Sequence, residues 1–86
     1  MKGQKRFTGK HVMITGAARG IGYEIAKQFG EEGAMISLVD YDRENLKSTA
    51  SGFRSRSWIV NEYCVDISVR SQVVEAVAHA ESVKGI

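Results

Sequence analysis

Thr15-Gly16-Ala17-Ala18-Arg19-Gly20-Ile21-Gly22 is the stretch on which the fold turns. An apolar β-type run, His11-Val12-Met13-Ile14-Thr15, leads into it. Beyond it Ile21, Ile25 and Phe29 recur every four residues while Glu24, Lys27, Gln28 and Glu31 fall on other faces, the period of an amphipathic helix. Glycines at this junction let the chain turn tightly and let a ligand approach the backbone. A helix opening here points unpaired N–H groups and a positive dipole end at the loop, where an anion such as pyrophosphate is favoured. Arg19 adds a mobile positive charge. Three glycines alone fit a plain turn equally well, so the strand before them and the helix after them carry the reading.

The same alternation continues outward. Gly33 is placed to end the first helix, since glycine adopts the left-handed conformation of a helix terminus at little cost. A second apolar run, Ala34-Met35-Ile36-Ser37-Leu38-Val39, is followed by Asp40 and Asp42. Asp42 is placed to cap a short helix carrying Leu46 and Ala50, with Gly52 closing it. The third run extends from Trp58-Ile59-Val60 to Tyr63-Cys64-Val65, with Asn61 and Glu62 interrupting it and its core expected in the second half. Ser68 then caps a third helix whose Val69, Val73, Ala76, Val77 and Ala80 form an apolar stripe ending near Gly85. No proline, repeat or low-complexity segment breaks this βαβαβα order.

Strands nearly continuous in apolar residues imply a parallel sheet covered on both faces and joined by right-handed crossovers. The expected fold class is α/β, a partial Rossmann fold with a three-stranded parallel sheet in the order 3-2-1. Two helices are expected on one face and the third on the other. The chain of 86 residues is one domain at most, with a thin core.

Composition narrows the function classes. Hydrophobic content of 43% with 26% charged residues is that of a soluble globular protein, and no run approaches the apolar length of a membrane span. A net charge of +2 is too small to argue for nucleic acid. Lys2, Lys5, Arg6 and Lys10 crowd the start, but polar Thr8-Gly9-Lys10 follows where a secretory signal needs an apolar stretch, so they read as a solvated lead-in. Cys64 is the single cysteine, which excludes an internal disulfide and makes a reducing cytoplasm the default, with a buried inert thiol expected. His11 and His79 lack partners at metal-ligand spacing and read as strand-edge and helix-surface residues.

Asp40 is the second functional element. It ends the second strand 24 positions after Gly16, near the spacing of a ribose-binding acid. A carboxylate there accepts both hydroxyls of an adenosine ribose and repels a 2′-phosphate, which favours NAD over NADP. Arg19 pulls towards NADP, but from less direct contact. Asp40 also fits a turn or a capping role, for which Asp42 is the better placed.

With these residues in view, the chain resembles the short-chain dehydrogenases/reductases. Their TGxxxGxG motif stands here as Thr15, Gly16, Ala17, Ala18, Arg19, Gly20, Ile21 and Gly22. Phe7-Thr8-Gly9-Lys10 resembles the family's lead-in to its first strand, and Cys64-Val65-Asp66-Ile67 its segment beside the adenine ring. The resemblance implies that Asp66 bonds the adenine amino group with the backbone of Ile67 beside it, a role compatible with helix capping near Ser68. Tyr41 either flanks the adenine or covers surface. The implied cofactor site is Thr15, Gly16, Ala18, Arg19, Gly20, Ile21, Gly22, Asp40, Tyr41, Asp66 and Ile67.

The family's chemistry depends on an Asn-Asn-Ala-Gly stretch after a fourth strand, a serine, and a Tyr-x-x-x-Lys pair, none of which occurs in this arrangement within residues 1–86. Tyr23-Glu24-Ile25-Ala26-Lys27 spells Tyr-x-x-x-Lys, but sits in the first helix near the adenine half, so it reads as coincidence. Residues 1–86 are therefore expected to be the amino-terminal half of a dinucleotide-binding domain, truncated before strand 4 and inactive alone. The alternatives are a non-catalytic adenine-nucleotide binding module and a structural fragment. The exposed edge of strand 1 is expected to drive homo-oligomer formation.

Overall fold

The structure, a computed structural model, describes residues 5–84. Lys2 and the expected helix end near Gly85 lie outside them. The element order is β1 (His11–Thr15), α1 (Gly20–Glu31), β2 (Met35–Asp40), α2 (Arg43–Arg54), β3 (Val60–Cys64) and α3 (Arg70–Lys84). All pairings are parallel in the order β1-β2-β3, the expected 3-2-1 order, with His11 opposite Met35 and Ile36 opposite Val60. β2 is central, and its Ile36, Ser37, Leu38 and Val39 are all buried.

Strand side chains alternate between faces, so the sheet has two cores. Ile14, Ile36, Leu38 and Val60 pack on one side with Ala26 of α1 and Leu46, Ala50 and Phe53 of α2. Val39 and Val65 pack on the other with Ala76 of α3, flanked by Met13, Tyr63 and Val73. This is the expected distribution of helices.

Several local expectations are corrected. α1 buries Ala26 and Gly30 and packs Tyr23 and the expected Phe29 half-buried against the core, but leaves Ile21 80% and Ile25 43% exposed. At Gly30 the reason is proximity: a Cβ there would lie 2.4 Å from the Trp58 ring. Gly52 lies inside α2, which runs on to Arg54 because Phe53 is buried in the core. Asn61 and Glu62 belong to β3 rather than interrupting it, while Trp58 and Val65 fall outside. At this sheet edge polar side chains cost little, and Arg54 bonds both Glu62 and the Val60 carbonyl oxygen. Ser68 does not cap α3, which starts at Arg70, because its hydroxyl is turned back to Asp66.

Two other expectations hold. Asp42 caps α2 by accepting the Asn45 N–H at 3.1 Å. Gly33 follows α1 with φ +94°, and its N–H donates to the Gly30 carbonyl while Ala34 N–H donates to that of Phe29, the paired bonds of a Schellman end. The lead-in is tied down at the same corner. Arg6 forks onto the buried Glu32 carboxylate at 2.5 and 3.0 Å, and Phe7 packs on Phe29 with ring centroids 4.9 Å apart.

Candidate cofactor site

The segment between β1 and α1 is held by backbone geometry that its sequence dictates. Gly16 and Gly20 have φ of +63° and +67°, a region that favours glycine. Gly22 is required by proximity, since a Cβ there would stand 2.1 Å from the Gly16 carbonyl oxygen. α1 thus begins pressed against the loop that feeds it. On the outer side, a Cβ on Gly16 or Gly20 would meet nothing within 4 Å, so the loop presents an open backbone face. Arg19 occupies the cap position of α1 in extended conformation and makes no side-chain cap bond. The first N–H groups of α1 are therefore without the side-chain acceptor that usually occupies this end. An open backbone surface and uncapped amides fit a bound diphosphate.

Asp40, at the end of β2, reaches into this loop. Its Oδ2 accepts the Ala18 N–H at 2.9 Å and its Oδ1 accepts the Asp42 N–H at 2.9 Å. Ala17 N–H donates to the Val39 carbonyl at 3.2 Å, and the Thr49 hydroxyl of α2 donates to the Ala18 carbonyl at 3.0 Å. Ala17 and Ala18, within the loop, are buried. Sequence reading missed Thr49; the signal was a β-branched hydroxyl residue inside a helix, beside buried Leu46, Ala50 and Phe53, where it adds little helix propensity.

Because the sheet is parallel, Thr15, Asp40 and Cys64 end their strands at one end of the sheet, and the segment after β3 joins them there. Val65 N–H donates to the Asp40 carbonyl at 3.0 Å. Asp66 Oδ1 accepts both the Ser68 hydroxyl at 2.6 Å and the Ser68 N–H at 3.0 Å. These bonds from Ser68 hold the Asp66 carboxyl below the usual carboxylate range. The Asn45 N–H does the same to Asp42, assisted by the charge of Arg19. Thr15, Gly16, Arg19 and Gly20 are exposed, and so are Tyr41 (74%) and Ile67 (61%).

The other singled-out residues have packing or surface roles. Tyr23 stacks on Phe53 with centroids 5.5 Å apart, so the first residue of the Tyr-x-x-x-Lys spelling belongs to the interface between α1 and α2. His79 is exposed on α3, its Nδ1 2.7 Å from the Tyr63 hydroxyl, and His11 Nε2 lies 2.6 Å from Ser37 Oγ. Burial lowers the pKa of His11. Cys64 is half-buried rather than buried, with Sγ 3.6 Å from the Tyr41 carbonyl oxygen, because its strand is an edge strand. Among the described residues no group of His, Cys, Asp and Glu could hold a metal ion, and no helix is long and apolar enough to cross a membrane.

A pocket of about 490 Å³ lined by Lys5, Lys10, Arg56 and Trp58 opens at the other end of the sheet, where the strands begin. Its Arg56 faces Glu31 at 3.6 Å, and Lys5 donates to the Glu31 carbonyl, so two of its cations are engaged at the carboxyl end of α1.

A parallel α/β sheet with a glycine loop entering its first helix is a Rossmann-type nucleotide-binding architecture. The family model described as short chain dehydrogenase matches residues 10–85, and the chain belongs to that family. It is 32% identical over 81 residues to the 2,3-dihydro-2,3-dihydroxybenzoate dehydrogenase of Bacillus subtilis, covering 94% of this chain and 31% of that protein. Among solved structures it is similar to a short-chain dehydrogenase/reductase from Burkholderia phymatum in complex with NAD (TM-score 0.89, 30% identity, 92% of this chain and 28% of that one). It is likewise similar to the L-sorbose reductase of Gluconobacter frateurii complexed with NADPH and L-sorbose (TM-score 0.88, 32% identity, 95% of this chain and 32% of that one). The chain spans 12% to 31% of the length of the curated relatives it matches.

Proposed function

We infer that residues 1–86 are the amino-terminal cofactor-binding portion of an NAD-dependent short-chain oxidoreductase. The observation that carries this reading is the contact of Asp40 Oδ2 with the Ala18 N–H at 2.9 Å, which fixes a carboxylate at the rim of an open, uncapped amide loop. Diphosphate sits over Gly16, Arg19, Gly20, Ile21 and Gly22, with Thr15 and Ala18 shaping the loop beneath it. The Asp40 carboxylate retains lone pairs to accept ribose hydroxyls after bonding Ala18 and Asp42, and its charge opposes a 2′-phosphate. Asp66 keeps Oδ2 for the adenine amino group, the backbone of Ile67 lies beside the ring, and Tyr41 flanks it.

When bound, the nicotinamide supplies hydride exchange with an alcohol or carbonyl substrate. Residues 1–86 orient the adenosine and diphosphate half of the cofactor and take no part in proton transfer. Among the described residues the outer edge of β1 has no strand partner, and pairing there joins copies of the chain. Its compartment is the cytoplasm, in keeping with a single thiol.

Calorimetric titration with NAD and NADP tests the reading. NAD is expected to bind more tightly, with weak affinity because only half of the cofactor finds contacts. NADP binding as tightly as NAD would remove the role given to Asp40. Heat from neither would favour the structural fragment.

A further inference from the structure

We propose that Thr49 is a positioning residue for the diphosphate loop, acting from α2 on the peptide that joins Ala18 to Arg19; its ligand role rests on the cofactor reading above. The Thr49 hydroxyl donates to the Ala18 carbonyl oxygen at 3.0 Å. In a planar trans peptide the N–H points opposite to the C=O. A carbonyl drawn towards α2 therefore turns the Arg19 N–H away from α2, towards the mouth of the loop. That N–H donates to no acceptor among the described residues.

The neighbouring peptide is fixed from the sheet side, where the Ala18 N–H donates to Asp40 at 2.9 Å and the Ala17 N–H to the Val39 carbonyl at 3.2 Å. Ala18 is thus gripped at both ends, by β2 through its N–H and by α2 through its C=O. Without Thr49 the second grip is lost. Arg19 is extended, and the Thr49 bond is the one shown on the carbonyl of the peptide between Ala18 and Arg19, so that peptide would then lose its fixed direction on the α2 side. The amide offered to a phosphate would no longer be held in one direction, and preorganisation, not contact area, would be lost.

Thr49→Val keeps the side-chain shape and removes the donor; Thr49→Ser restores it. Two readouts are taken on the 86-residue chain: amide hydrogen exchange at Ala17 and Ala18, and titration with ADP-ribose, NAD and adenosine. Thr49→Val is expected to speed exchange at both amides and weaken ADP-ribose and NAD about 5- to 10-fold, the size of one hydrogen bond. Adenosine, which carries no diphosphate, should change less than about twofold, and Thr49→Ser should bind ADP-ribose within about threefold of wild type. Exchange unchanged in Thr49→Val overturns the clamp, whether or not any ligand binds. Equal losses for adenosine and ADP-ribose overturn the positioning role, since a merely structural threonine would weaken both. Wild type that binds none of the three ligands overturns the cofactor reading and the ligand role together, and exchange still decides the clamp. Should Thr49→Val fail to fold by circular dichroism, the same comparison is made with Thr49→Ala.

Discussion

Asp40 and Ala18, 22 positions apart in the chain, are joined by a 2.9 Å hydrogen bond from the Ala18 amide to the Asp40 carboxylate. One side chain thereby braces the glycine loop and stands at its rim. Asp40→Asn keeps one acceptor oxygen for the Ala18 amide, gives up the bond from the Asp42 N–H, and removes the charge. The preference for NAD over NADP should fall by about tenfold, as expected when a like-charge contact with a 2′-phosphate is relieved. Competition between the two dinucleotides measures it.

Gly22 offers a test of the loop that does not depend on ligand. A methyl group at this position would overlap the Gly16 carbonyl, 2.1 Å away, and the obstacle is backbone that cannot swing aside. Gly22→Ala should cost about 1–3 kcal/mol, the usual penalty of overpacking. In a domain of this size each kcal/mol lowers the thermal midpoint by about 4–8 °C. Thermal unfolding followed by circular dichroism reads the shift.

Much of the fold was legible in the sequence, and the reason differs element by element. Ile36 and Leu38 in a run too apolar for one wet face announced a central parallel strand, and Gly16, Gly20 and Gly22 between strand and helix announced the loop. Side-chain size misled in α1. Ile21 and Ile25 make the better hydrophobic stripe, but Ala26 and Gly30 face inward, and at Gly30 the Trp58 ring lies too close for any side chain. Asn61 and Glu62 looked like a break because edge strands tolerate polar residues that central strands do not. In the candidate site, Asp40 was legible from its distance along the chain to Gly16. The grip of Thr49 on Ala18 was not, since a contact across 31 positions depends on how α2 lies over the loop.

Acid should reveal the carboxylates. Glu32, Asp42 and Asp66 are all held below their ordinary values by hydrogen bonds, from Arg6, Asn45 and Ser68 respectively. As pH falls, the unfolded chain takes up these protons first. The stability they contribute is full above the ordinary carboxyl values of 4.5 and 3.8 and is lost as pH drops through the lower folded values. Arg6→Gln removes the first cause of the Glu32 shift. Wild type should be the more stable of the two near neutrality, with the difference shrinking towards zero in that acid range. Denaturant unfolding at stepped pH follows it.

Ile21 and Ile25 leave an apolar stripe on α1, and the outer edge of β1 has no partner among the described residues. Such surfaces associate. Light scattering on a size-exclusion peak should show mass rising with concentration, and Ile25→Lys should reduce that rise. A strictly monomeric wild type at high micromolar concentration would remove the proposed pairing of copies.

The most direct test of the cofactor site is a map of backbone amide shifts on titration with NAD. The largest changes should fall on Gly16 to Gly22, on Asp40 to Asp42, and on Asp66 and Ile67, all at the end of the sheet where the strands finish. Changes confined instead to Lys10, Arg56 and Trp58 at the opposite end, or none at millimolar NAD, would contradict the assignment of this loop to a dinucleotide.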